Sequence, residues 1–162
     1  MGGKIDPWLD FPVAEEHRDI RRLYRYWLSL ASPGRLPGRA ELDAVVGLPD
    51  LLPRLMLYDV VDGDGGQRFR VRVAGGMLVD LLGHNPTGRF IDEYVMPDRR
   101  SDVNEAFASV VRDRRPHCWE NQLWTTGAEF VRMRRLALPL ATDGVAPDMV
   151  LALYVRIEPE RT

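Results

Sequence analysis

The chain has 162 residues, a formal net charge of −2, and 45% hydrophobic and 28% charged residues. That length suits one domain with a real core and excludes a second full domain, while the small net charge excludes a global pull toward nucleic acid or an anionic membrane. The single cysteine, Cys118, excludes an intramolecular disulfide framework and a multi-thiolate metal site.

No apolar run reaches membrane-spanning length, and the opening MGGKIDPWLDFPVAEEH lacks a signal-peptide pattern, so a cytoplasmic location is expected. Residues 1–14 read as an N-terminal tail. From Glu15 to Ala31 the spacing predicts an amphipathic helix, with Ile20, Leu23, Tyr24, Trp27 and Leu28 on one stripe. The proline- and glycine-containing SPGRLPGR ends it, so 15–40 forms a cap helix and linker before a domain over 41–158 and a short tail at 159–162. A short helical piece is expected around Glu41–Val46, and Pro49 and Pro53 bracket a tight turn.

Leu55–Val61 has strand character, and DGDGG supplies a hairpin turn. Arg68–Val73 alternates, placing Phe69, Val71 and Val73 on one face and Arg68, Arg70 and Arg72 on the other. The three arginines read as charge protecting an edge strand; an anion-binding face is the competing reading. Short helices are expected at Met77–Leu82 and Phe90–Val95, then a longer one from Asp98 to Asp113, stopped by Pro116. Three strands close the chain: His117–Thr126 and Ala128–Ala141, joined at Gly127, and Asp148–Ile157. In the middle one Val131 and Met133 sit out of phase with Leu136, Leu138 and Leu140, and a bulge near Arg134–Arg135 would restore the phase. The last strand is apolar on both parities, so it belongs at the sheet centre, with the N-terminal helix covering its second face.

The stretch LLGHNPTGRFIDEYVMPDRR, from Leu81, spaces Gly83 and Gly88 almost as a phosphate loop does. It lacks the lysine and the hydroxyl that such a loop needs, because Arg89–Phe90 stands there. Gly83 fits a helix C-cap instead. His17, His84 and His117 share no ligand spacing, and His117 and Cys118 point to opposite faces of a strand. Asp59, Asp80, Asp92 and Glu93 form no paired acid–base set, and Ser29, Ser32, Ser101 and Ser109 have no histidine–carboxylate partners in pattern.

Taken in order, Leu81, Leu82, Gly83, Gly88, Arg89, Ile91, Tyr94, Pro97, Asp98 and Arg99 resemble the turn-and-helix signature of the PAS domain. Upstream, LYRYWLSL, LPRLMLYDV and FRVRVAG resemble those of short stand-alone PAS-like proteins found mainly in alphaproteobacteria. Gly76 and Met77 depart from that pattern, where a small hydroxyl residue is usual. The resemblance implies an α+β fold, with a five-stranded antiparallel sheet in 2-1-5-4-3 order and short helices on one face. Haem-carrying relatives commonly offer a histidine from the long helix, and covalent flavin relatives a cysteine within the segment matching Asn85–Phe90. Neither is present, so both cofactors are disfavoured, and non-covalent flavin or an organic acid is left open.

A ligand pocket is expected between the central helices and the sheet, with Met77, Leu81, Phe107, Val110, Val111, Trp119 and Met133 as candidates. Tyr24 and Trp27 are the candidates for an interface with a second chain. The resemblance implies a non-enzymatic sensory module, expected as a homodimer, that binds a small molecule and acts on a separate signalling protein such as a kinase or cyclase. The alternatives are a ligand-free adaptor working through the N-terminal helix and dimer interface, and a small isomerase, which would need a buried carboxylate or histidine in a deep pocket.

Overall fold

The computed structural model describes residues 16–43, 47–122 and 131–157. Helix α1 spans Arg18–Leu30. It starts later than the stripe alone suggests because His17 caps it, Nδ1 accepting the Asp19 N–H at 3.0 Å. A 3₁₀ turn at Pro49–Arg54 leads into β1 (Leu55–Gly63), which a tight hairpin joins to β2 (Gly66–Ala74). Helices α2 (Gly76–Leu82) and α3 (Ile91–Tyr94) follow, then α4 (Arg100–Asp113). Strands β3 (His117–Gln122), β4 (Arg132–Leu140) and β5 (Met149–Arg156) complete the sheet. Residues 44–46, in the helical piece expected near Glu41, and the expected junction at Gly127 lie outside the described residues.

All pairings are antiparallel, and the strand order is β2-β1-β5-β4-β3, as the resemblance implies. Strand β5 sits at the centre because it can bury both faces. Val150, Ala152 and Tyr154 enter one apolar cluster, and Leu151, Leu153 and Val155 enter the other. The inner layer packs α2, α3 and α4 on the sheet. The outer layer packs α1 and the 3₁₀ turn on the opposite face, with Ile20, Leu23, Tyr24 and Trp27 against Leu136, Leu138 and Leu140.

Tyr24 and Trp27 therefore do not form an exposed surface for a second chain. Both are buried in the chain's own core, and Trp27 Nε1 donates to the Pro139 carbonyl at 3.0 Å. The apolar stripe they belong to was needed to cover β4 and β5.

Bulge placement also differs from expectation. The β4 register is continuous with both neighbours through Arg134 and Arg135. The irregularity lies between β1 and β2, where Leu57 pairs with Val73 but Tyr58 pairs with Val71, leaving Arg72 over. Phe69 and Val71 face the inner layer, whereas Val73 turns to the other side and is 51% exposed.

The 83–90 loop finishes one helix and shields an edge. Gly83 takes φ 79° as the C-cap of α2, its N–H donating to Val79 O. The loop then runs along the outer side of β2, where Val71 N–H donates to Arg89 O at 2.8 Å and Gly88 N–H to Val71 O at 2.7 Å. Backbone groups that an edge strand would leave open are thereby satisfied.

Candidate functional site

Alternation in β4 puts Met133, Arg135 and Ala137 on the inner face, and Leu136, Leu138 and Leu140 on the outer one. Arg135 is thus carried into the core, 4% exposed. Its direct cross-strand partners are Trp119 on β3 and Tyr154 on β5, and Phe107 reaches it from α4. The guanidinium carbon lies 4.9 Å from the Trp119 ring centroid and 5.0 Å from those of Phe107 and Tyr154. Burying such a cation costs several kcal/mol. Three desolvated ring contacts, each worth about 1–2 kcal/mol, offset much of that.

The offset is electrostatic and leaves the donors unmet. Nε and Nη1 of Arg135 are buried without a hydrogen-bond partner, and no described carboxylate pairs with the side chain.

Other polar groups line up within the same layer. The Tyr58 and Tyr154 hydroxyls are 2.6 Å apart, and Tyr58 contacts Met56 Sδ at 3.4 Å. Burial pushes the Tyr58 hydroxyl well above its ordinary pKa, reinforced by Tyr154, and burial likewise raises Tyr94. His84 meets the edge of Tyr94 with ring centroids 5.7 Å apart; its Nδ1 lies 3.2 Å from Leu82 O and its buried Nε2 has no partner. Around these groups sit Phe69, Phe107, Val110 and Met133, all buried.

Of the pocket candidates read from the sequence, Phe107, Val110, Val111 and Met133 are buried in this layer, and Leu81 and Trp119 pack against it. Met77 belongs to neither apolar cluster; one turn position away, Leu78 takes the inward place because α2 begins at Gly76. Arg135, Tyr58, Tyr94 and Tyr154 were missed as site residues. The signal for Arg135 was visible, since strict alternation from Met133 predicts it inward, and the proposed bulge turned it outward.

The remaining candidates are dispersed. Arg68 donates to both oxygens of Asp92 at 2.7 and 3.0 Å and lies 3.8 Å over the Phe90 ring, while Arg70 and Arg72 approach Asp59 at 3.6 and 2.9 Å. The β2 arginines thus answer carboxylates of this chain. Hydrogen bonds from Arg68 hold the Asp92 carboxyl below its ordinary pKa, which leaves it a weak base. Burial and the nearby Glu16 carboxylate push the Cys118 thiol up to about 12, so it stays protonated at neutral pH. Among the described residues, no group of three or more His, Cys, Asp or Glu could hold a metal ion, and no helix is long and apolar enough to cross a membrane.

Two depressions lie away from this layer. An apolar pocket of about 460 Å³ on the outer side is lined by Leu42, Leu52, Leu55, Leu57, Val73 and Leu140. A polar one of about 400 Å³ is lined by Arg68, Asp92, Glu93, Arg100, Ser101 and Asn104, so its two arginines are matched by two carboxylates.

Solved structures share this architecture. A PAS domain from Colwellia psychrerythraea superposes with a TM-score of 0.54 at 10% identity, covering 71% of this chain and 98% of that one. The PAS domain of Bordetella pertussis BvgS gives 0.52 at 13% identity, covering 73% and 89%. The Rhodobacter sphaeroides LOV protein gives 0.50 at 14% identity, covering 67% of this chain and 64% of that one, so the chain spans less than two thirds of its length. No curated protein matches the sequence. At these identities the likenesses establish the fold. A family model described as PAS domain matches residues 15–155, which takes in α1 and all five strands except the last residue of β5. With that match, and with the strand order and helix placement seen here, the chain belongs to the PAS domain family.

Proposed function

We propose that the chain is a non-enzymatic sensory module in signal transduction, holding a small molecule between its central helices and the inner face of its sheet. Family membership supports the sensory class. The observation that carries the ligand-binding part is the contrast between the two layers. The outer one is built largely from leucines with Ile20, Tyr24 and Trp27, as a purely structural layer requires. The inner one gathers Tyr58, Tyr94, Tyr154 and Arg135 among Phe69, Phe107 and Trp119. Polar groups converging within an apolar compartment are the composition of a recognition site.

In this reading, occupancy of the inner layer alters α3 and α4, and a separate signalling protein or a second copy of the chain reads the change. The adaptor alternative, working through α1, finds no support in Tyr24 and Trp27, which are buried. Native mass spectrometry of the chain purified without denaturation tests the proposal. The expected result is a small molecule that leaves on unfolding. An apo chain whose melting temperature no compound in a broad library shifts would overturn it.

A further inference from the structure

Resting on the reading that the inner layer holds a small molecule, we propose that Arg135 makes this compartment selective for a small organic monoanion, an ionised carboxylic acid with an apolar or aromatic body.

A guanidinium is planar, with its N–H bonds in the plane and its cationic faces above and below. Phe107, Trp119 and Tyr154 engage the cation with their rings at about 5 Å. Ring faces supply neither an acceptor oxygen nor a countercharge for its N–H bonds. Nε carries one and Nη1 carries two, and both atoms are buried without a partner. A water molecule there would accept a hydrogen bond but leave the charge uncompensated in an apolar layer. A carboxylate supplies both the acceptor oxygens and the countercharge, in a geometry that a guanidinium matches.

The charge count narrows the class. Arg135 is the one buried cation among the described residues. It balances one negative charge, whereas a phosphate monoester at neutral pH carries close to two. Trp119 and Phe107, in edge contact with ring centroids 6.2 Å apart, offer apolar surface for the body of the acid. The Tyr58–Tyr154 pair marks a hydrogen-bonding end beside the cation. Burial keeps the Tyr58 hydroxyl protonated, so the site presents no competing anion there.

The test is isothermal titration calorimetry on the full chain at neutral pH, with three probes that share a ring: phenylacetate, phenylacetamide and benzyl phosphate. We expect phenylacetate to bind at least about tenfold more tightly than the amide, with benzyl phosphate weaker than phenylacetate. Arg135→Met should erase the preference for the acid, bringing acid and amide to equal affinity. Arg135→Lys should keep part of the preference, because it retains the charge without the planar fork. The wild-type comparison needs no variant, so a substitution that fails to fold leaves the proposal exposed to refutation. Equal affinity for acid and amide overturns the proposal, as does an acid preference that survives Arg135→Met, or no saturable binding of the acid at millimolar concentration. The compartment reading is judged separately. A neutral molecule found bound in the native mass spectrum, or amide bound as tightly as acid, leaves it standing while the anion selectivity falls.

Discussion

Asp19 and Arg135 are the two buried charged side chains among the described residues, and their surroundings are opposite. Asp19 receives Arg54 at 2.5 Å and Arg22 at 3.0 Å, and Arg22 continues to Asp50. Burial pushes its carboxyl up, but the hydrogen bonds from Arg54 and Arg22 outweigh that and set the pKa below the ordinary value. A depressed carboxyl contributes stability that is present above its unfolded pKa, near 4, and is lost as pH falls through the lower folded value. Asp19→Asn should therefore cost about 2–3 kcal/mol at pH 7, less as pH falls below about 4. Urea unfolding at pH 7 and pH 3 measures both; an equal loss at the two values would show that the ion pairs are not the source. Arg135 has the contrary arrangement, with rings around it and no described countercharge. In the absence of ligand, Arg135→Met should be neutral or up to about 2 kcal/mol more stable, because a buried unpaired charge is replaced by apolar volume. The thermal midpoint of the apo protein reads this, and a drop of several degrees would show that the three ring contacts exceed the desolvation penalty.

Glycines at the two ends of α2 serve different physical needs, and substitutions separate them. At Gly75, just before the helix, an added Cβ would lie 2.4 Å from Pro53 O and 2.5 Å from Leu52 O, both backbone atoms of the 3₁₀ turn. Gly75 N–H also donates to Leu55 O, so the segment cannot shift freely. Gly83, after the helix, meets nothing within 4 Å, and only its φ of 79° disfavours a side chain. Gly83→Ala should cost about 1 kcal/mol and Gly75→Ala about 2–3 kcal/mol or more, measured as shifts in denaturant midpoint. Equal costs would mean that the close approach of the turn is relieved cheaply. The same region shows how far the pattern of residues carries. The central place of β5 and the αL end of α2 followed from period-two apolarity and glycine placement, whereas the strand order came from the resemblance to the PAS domain. The bulge did not, because period-two arithmetic treats a buried arginine and an extra residue alike: each restores an apolar phase. In β4 the chain kept the register and buried the arginine, and in β2 it kept Phe69 and Val71 inside and released Val73. Choosing between them needs the neighbours, since Arg135 is tolerable only where Trp119 and Tyr154 flank it across two strands.

With one sheet covered on both faces, neither layer is a separable accessory. Helix α1 is held by its apolar stripe, by the Trp27–Pro139 hydrogen bond, by Asp19 to Arg54 and by Glu16 to Arg134 on β4. Pro139 lies beyond the last β3–β4 pair, His117 with Ala137, so Trp27 meets a carbonyl that β3 does not reach. Trp27→Phe keeps most of the apolar volume but orphans that carbonyl, and should cost about 1–3 kcal/mol. Removing the helix is a different order of change. It would bare Leu136, Leu138, Leu140, Leu151 and Leu153 together, a contiguous apolar face of the kind that drives association. A chain truncated before Pro33 should therefore lose its cooperative thermal transition, bind a hydrophobic dye and associate, as measured by calorimetry and light scattering. If it instead melts cooperatively as a monomer, α1 is a detachable arm, and its release becomes a route for the signal. On the proposed sensory reading, with α1 as a structural layer, a change in the inner compartment leaves the molecule through the elements that pack there, α2, α3, α4 and the β3 edge, which is where a partner should be sought.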